Sequence, residues 1–229
     1  MNLTKKGNRN NHRGVIGIES AIVMIAFVIV AAALSFVVLN MGFSTTQKAK
    51  SAITSGLEEV AGSLEISGDV LGVGQVTTGR LNATSVPIAV ASDGAVNLDP
   101  TSTTVTYLAS GIQYNNIYGA GCMLNSTTYS DLSTAMTAAV TKGCINSNPV
   151  TGSAAQTNTK AVVYFTTQKN TNSVVESGEV ANLVIVYKTT TDRPTSPSTI
   201  KAEITPPSGS ILTIERNVPS ILDKYVDMG

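Results

Sequence analysis

The sequence predicts an α+β protein: a long apolar N-terminal α-helix followed by an antiparallel Ig-like β-sandwich head domain. Three observations lead there. No residue from Ser20 to Gln47 is charged, and Ala21 through Met41 reads AIVMIAFVIVAAALSFVVLNM, enough for a helix to cross a hydrocarbon layer of about 30 Å. From Leu64 onward the helical periodicity gives way to short apolar/polar alternations separated by Gly, Asn, Pro and Ser. At 229 residues and 42% hydrophobic, the chain has material for one core plus a separate apolar segment. Charged residues are only 13%, against roughly 25% in an average soluble domain, so the surface hydrates largely through Ser and Thr hydroxyls, which suits an extracellular setting.

The apolar run is preceded by Lys5, Lys6, Arg9 and Arg13 with no acid among them. Taking these four from the fifteen bases leaves eleven against fifteen acids, a remainder of −4 with no electrostatic footprint for nucleic acid. Bases before the apolar run hold the leader in the cytoplasm and send the chain beyond residue 47 outward. An ordinary secretory signal has a shorter apolar stretch with a small-x-small cleavage site after it, and this segment has neither. The junction Lys5-Lys6-Gly7-Asn8-Arg9-Asn10-Asn11-His12-Arg13-Gly14, then Val15-Ile16-Gly17-Ile18-Glu19, resembles a class III, type IV pilin-like signal peptide. That resemblance implies cleavage between Gly14 and Val15 by a prepilin-type membrane peptidase, removing residues 1–14 and keeping the apolar helix. On hydropathy alone, a single-pass membrane anchor has the same pattern.

The run is apolar on every side, the pattern of a helix that is surrounded. With the charged leader gone it can leave the lipid only for another apolar environment, and a bundle of identical helices supplies one. Ile22, Ile25, Phe27, Val30, Leu34 and Val37 are the candidate contact residues. Glu19 is the one acid between Met1 and Ser51, and a carboxylate at that depth is costly unless paired. The pilin-like resemblance implies a pairing with the new N-terminal amine of a neighbouring subunit, here that of Val15; the alternative is an acid resting near the interface end of the helix.

Beyond Gly42 the apolar positions Ile53, Leu57, Val60, Ala61 and Leu64 recur at spacings of three and four, an amphipathic continuation expected to pack against the head. The expected division is therefore a leader over 1–14, a helix over 15–62 and an outer β-domain over 63–229. Strand-like runs are LEISGDVLGVG, VPIAVA, TVTYLA, IQYNNIYG, KAVVYFTT, VANLVIVYK, TIKAEIT and ILTIERNV, about eight strands of a sandwich. Between them, residues 129–142 read as a short helix ended by Gly143. Cys122 and Cys144 flank that helix; in an exported chain they are either one disulfide, worth about 2 to 4 kcal/mol, or a pair of buried thiols.

The C-terminal PPSGSILTIERNVPSILDKYVDMG, with Val15 to Gln47 and the Asn40-Met41-Gly42 and Thr46-Gln47-Lys48-Ala49-Lys50 steps, resembles the archaeal flagellins (archaellins) at both ends of the chain. The resemblance covers roughly the first 65 and last 30 residues. It also implies N-glycosylation, for which Asn82-Ala83-Thr84 and Asn125-Ser126-Thr127 are the acceptors, expected in loops or at strand edges. Asn2-Leu3-Thr4 would be lost with the leader.

No catalytic constellation is legible. The single histidine, His12, falls in the leader. Glu58-Glu59 are adjacent on a helix, and the Glu176 and Glu179 pair is expected on a solvated face. Gly72-Val73-Gly74-Gln75-Val76-Thr77-Thr78-Gly79 lacks the third glycine of a dinucleotide fingerprint, so its glycines are read as turns. The expected function is a non-enzymatic, cofactor-free structural subunit of an extracellular motility filament. Its partners would be copies of itself, the signal peptidase, and membrane assembly and motor machinery met during transient membrane insertion. The alternatives are an adhesion pilin, which shares the leader and the helix, and a membrane-anchored extracellular binding module. The latter would want an aromatic-lined concave site, and the chain has no Trp and only 5% aromatic residues.

Overall fold

The computed structural model describes residues 13–91, 93–109, 111–152, 155–189 and 191–229; for 13–16 and 57–61 it describes the backbone alone. The chain divides into two compact units, one ending at Thr54 and one running from Ser55 to Gly229.

Helix α1 (Arg13–Ala61) is one uninterrupted element of 49 residues. Gly62 ends it, and Leu64, which continues the helical spacing, already lies in a strand. Ser35, Thr45 and Thr46 are tolerated inside the helix because each hydroxyl donates to the carbonyl four residues back, at 2.8 Å in all three cases. Ile53 is exposed, and the expectation that this outward stretch packs against the head otherwise rests on side chains outside the described residues.

The β-rich unit contains, among its described residues, β1 (Leu64–Ile66), β2 (Leu71–Gln75), β3 (Arg80–Val90), β4 (Ala95–Asn97), β5 (Thr104–Ala109), β6 (Ile112–Tyr114), β7 (Tyr118–Thr128), helix α2 (Leu132–Thr141), β8 (Lys160–Thr167), β9 (Val174–Glu176), β10 (Val180–Val186), β11 (Ser198–Thr205), β12 (Leu212–Val218) and β13 (Tyr225–Asp227). All eight expected strand segments are present; LEISGDVLGVG splits into β1 and β2, IQYNNIYG into β6 and the start of β7, while β4, β9, β13 and most of β7 lie outside the expected runs. The larger sheet has the order β13-β2-β3-β10-β8-β7 with β1 also on β3, the smaller β12-β11-β5-β6, and β4 pairs β9 separately. Pairing is antiparallel except between β7 and β8, which run parallel because α2 carries the chain back between them.

The sequence pattern explains which sheet is buried how. In β11, Ile200, Ala202 and Ile204 face inward while Lys201 and Glu203 face out and form an ion pair at 2.7 Å. In β10 every residue after Val180 is buried, so this apolar run fills the middle of the larger sheet with both faces covered. Tyr107, on the smaller sheet, packs its ring 5.5 Å from that of Tyr187, just past β10, joining the two layers of the β-sandwich.

Helix α2 has both of its stops written in the sequence. Asp131 accepts the Thr134 backbone N–H at 2.8 Å and its hydroxyl at 2.6 Å. At the other end Gly143 takes φ +77°, and the N–H groups of Gly143 and Cys144 return to Val140 and Ala139 carbonyls at 3.0 Å each. The expected 129–142 helix is thus shorter at its start, where Ser130 and Asp131 serve as entry and cap rather than helix.

Gly72 and Gly74 correct the reading of that stretch as turns. Both lie inside β2, where a Cβ at Gly72 would come 2.9 Å from Leu81 Cδ2 and one at Gly74 would come 2.5 Å from Ile221 Cγ2 and 2.9 Å from the Asp223 carbonyl. Their missing side chains let the C-terminal segment approach and add β13 as the outer strand of the larger sheet, so the last 24 residues or so contribute a strand to each sheet.

Candidate functional site

The site is the surface of α1. From Ile18 to Phe43 all of the large apolar side chains are exposed, including the candidate contact residues Ile22, Ile25, Phe27, Val30, Leu34 and Val37; Phe27 is 78% exposed. Residues 17–56 contain a window of mean hydropathy 3.1 with none of it buried, long and apolar enough to cross a membrane. Leaving this surface in water would cost about 1.5 to 3 kcal/mol for each large aliphatic or aromatic side chain. Summed over the run, that exceeds the roughly 5 to 15 kcal/mol by which whole domains are stable. The helix therefore requires an apolar partner.

The hydroxyl-to-carbonyl bonds of Ser35, Thr45 and Thr46 reduce the polarity of the same surface. Gly14 and Val15 fall in the first turn of α1, described by backbone alone, and the leader residues 1–12 with His12 lie outside the described residues. Glu19 is exposed and makes no ion pair among the described residues.

In the β-rich unit, Cys122 on β7 and Cys144, one residue past the Gly143 turn, are joined in a disulfide with Cα atoms 5.0 Å apart. The stop signal of α2 places Cys144, and Lys142 Nζ donates to the Met123 carbonyl at 2.7 Å beside it. The two sequons part company. Asn125 is half-buried on β7, the last strand of the larger sheet, and its Nδ2 donates to the Thr171 and Asn172 carbonyls at 3.3 and 3.2 Å. Asn82 is not in a loop or at an edge: it lies in β3, between β2 and β10, is 8% exposed, and donates its Nδ2 to the Pro149 carbonyl at 3.1 Å. A glycan on that nitrogen would have to displace the Pro149 carbonyl from a buried amide.

The Glu176 and Glu179 pair also differs from expectation. Glu179 is fully buried, and its carboxylate accepts the backbone N–H groups of Lys169 at 2.6 Å and Glu176 at 3.0 Å, which holds the β9–β10 turn. It is a structural carboxylate, and among the described residues no group of three or more metal-ligating side chains converges.

Sequence reasoning did not single out Asp192. It is 4% exposed and accepts hydrogen bonds from Tyr114 Oη at 2.8 Å, Thr159 Oγ1 at 2.7 Å and Thr191 Oγ1 at 2.6 Å. Tyr114 belongs to the smaller sheet and Thr159 precedes β8 of the larger, so one carboxylate ties the two layers together. Burial pushes this carboxyl up, but the hydrogen bonds from Thr159, Thr191 and Tyr114 and the charge of Lys188 outweigh it and hold it below its usual range. No local motif marks such a residue.

Residues 14–216 match the archaeal-type flagellin family. The chain belongs to that family. Among curated relatives, it is 38% identical to "Probable flagellin 1" of Aeropyrum pernix over 92% of this chain and 94% of that one. Among solved structures, it is similar to the archaeal flagellum of Methanospirillum hungatei (TM-score 0.53, 20% identity, 88% of this chain and 93% of that chain). It is likewise similar to flagellin FlaB1 from Methanocaldococcus jannaschii (TM-score 0.55, 16% identity, 72% and 95%). Both structural likenesses concern the fold. Archaeal flagellins are structural filament proteins, and this flagellin is accordingly a structural subunit of the archaellum. Its exposed helix is the part of the molecule that needs a neighbour.

Proposed function

We propose that this flagellin is cut between Gly14 and Val15 by a prepilin-type peptidase, leaves the membrane, and polymerises through α1 into the core of an extracellular archaellum, with the β-domain, residues 63–229, forming the outer wall. The observation that carries this reading is the unbroken exposed apolar surface from Ile18 to Phe43 on a chain of the flagellin family. Ile22, Ile25, Phe27, Val30, Leu34 and Val37 pack against neighbouring helices, Glu19 receives the freed amine of Val15 from an adjacent copy, and Asn125 carries the glycan. Rotation comes from a separate membrane assembly and motor machinery; the filament transmits torque and performs no chemistry.

The test is shearing of cells, followed by intact mass, N-terminal sequencing and electron microscopy of the released material. The reading expects long filaments of a chain beginning at Val15. A Val30→Asp chain should be made and folded, yet absent from the sheared fraction. An uncut monomer retained in lipid would refute the proposal.

A further inference from the structure

We infer that Asn40 and Ser44 form a polar key by which the helices of two copies of this chain lock their axial register; this rests on the filament reading above. The uncharged run from Ser20 to Gln47 contains several polar side chains, and the structure divides them into two kinds. Ser35, Thr45 and Thr46 spend their hydroxyl protons on carbonyls of their own helix. Among the described residues, Asn40, Ser44 and, at the end of the run beside Lys48, Gln47 have no such partner, and of these Asn40 and Ser44 lie within the apolar surface. They stand four residues apart, on one face, and with Phe36, Val37 and Met41 they line a shallow notch on the helix.

An Asn amide in a helix interior has two donors and an acceptor, and the helix backbone around it is already paired. Where the surrounding surface is buried by apolar atoms, the amide must find a partner on whatever buries it. Lipid chains offer none. A second copy offers its own Asn40 and Ser44, in a surface that is otherwise apolar like the first, so the notch is complementary to the same chain. The physical value is specificity. Aliphatic surfaces such as Val28-Ile29-Val30-Ala31-Ala32-Ala33 slide past one another with little change in contact, whereas a buried Asn40 is satisfied only at the offsets that bring it to Asn40 or Ser44 of the second copy, which differ by one helical turn. Asn40 is a positioning residue for assembly: it selects the rise between subunits, and the apolar residues supply the attraction.

The experiment is helical reconstruction of sheared filaments from cells in which this chain, or its Asn40→Leu, Asn40→Gln or Ser35→Ala variant, is the sole filament subunit. The wild-type map should place the Asn40 amide within hydrogen-bond distance of a polar atom on a neighbouring copy, with one rise and twist. N40L should lose that single symmetry class, giving mixed rises or no filaments, while N40Q keeps filaments and S35A, whose hydroxyl is spent internally, matches wild type. N40L filaments with unchanged rise and twist, an Asn40 facing only apolar atoms, or an equal disturbance by S35A would overturn the inference while leaving the filament reading intact. Absence of filaments from the wild-type chain itself would overturn both.

Discussion

Replacing Asp192 tests how the two sheets of the head are held together. In Asp192→Ala the acceptor of three hydroxyl groups disappears. Thr191 is itself exposed and rehydrates, but Thr159 is 5% exposed and Tyr114 is half-buried, so two donors lose a charged acceptor with little water to replace it. Hydrogen bonds to charged groups are worth about 1.5 to 3 kcal/mol each, which puts the loss at about 3 to 4 kcal/mol after allowing for partial rehydration of Tyr114. For a domain of this size, about 2 to 4 °C per kcal/mol, the melting temperature should fall by about 10 °C. Asp192→Asn keeps an oxygen for Tyr114 and Thr159 and should lose less than half as much. The sign with pH follows from the depressed carboxyl: its contribution is complete above the unfolded value near about 4 and disappears as pH falls through the lower folded value. The D192N chain should therefore be less sensitive than wild type to acidification below about pH 4. All seven tyrosines lie beyond residue 63 and there is no Trp, so the tyrosine band of the near-UV circular dichroism of the detergent-solubilised full chain reports the head. A melting temperature for D192A within about 3 °C of wild type, or equal losses for the Ala and Asn variants, would refute the account of Asp192 as an inter-sheet tie.

Gly74→Ala should destabilise the head by about 1 to 3 kcal/mol, since the new methyl meets Ile221 and the Asp223 carbonyl, whereas Gly119→Ala, with only the Lys160 ammonium 3.8 Å away, should be close to neutral; parallel thermal melts decide it. Replacing Cys122 and Cys144 together with Ser should cost about 2 to 4 kcal/mol, and alkylation of the wild-type chain without reductant should label neither cysteine; labelling of both would remove the basis for the first figure. Peptide mapping of sheared filaments should find a glycan on Asn125 and none on Asn82, and Asn82→Gln should lower head stability more than Asn125→Gln, because both amides donate hydrogen bonds but only that of Asn82 is buried. A glycan on Asn82 would contradict its placement in the middle of the larger sheet.

The helix was legible because its signal is local. A charge-free run longer than a bilayer is thick leaves the backbone no conformation but a helix, and the basic block before it sets its direction. The same holds for α2, where Asp131 and Gly143 act on groups within a few residues, and for β11, whose alternation needs no knowledge of its neighbours. The family likeness, too, was readable from the two ends of the chain.

What the sequence left open depended on residues far apart along the chain. Asn82 satisfies the acceptor pattern locally, yet its accessibility is decided by β2 and β10 on either side and by Pro149, 67 residues away. Gly72 and Gly74 look like turn residues until the C-terminal segment is laid against β2. Glu179 is a residue type that a local reading puts in water, yet the folded domain buries it over nearby backbone N–H groups, and Asp192 has no local motif at all, its partners Tyr114 and Thr159 arriving from other segments. The sequence by itself determined that an apolar helix precedes a β-rich, lightly charged head, because hydropathy and period act over a few residues. Which polar side chains that head buries was decided only by the tertiary structure, because the cost of burying a charge or an amide is set by the groups that long-range pairing brings to it.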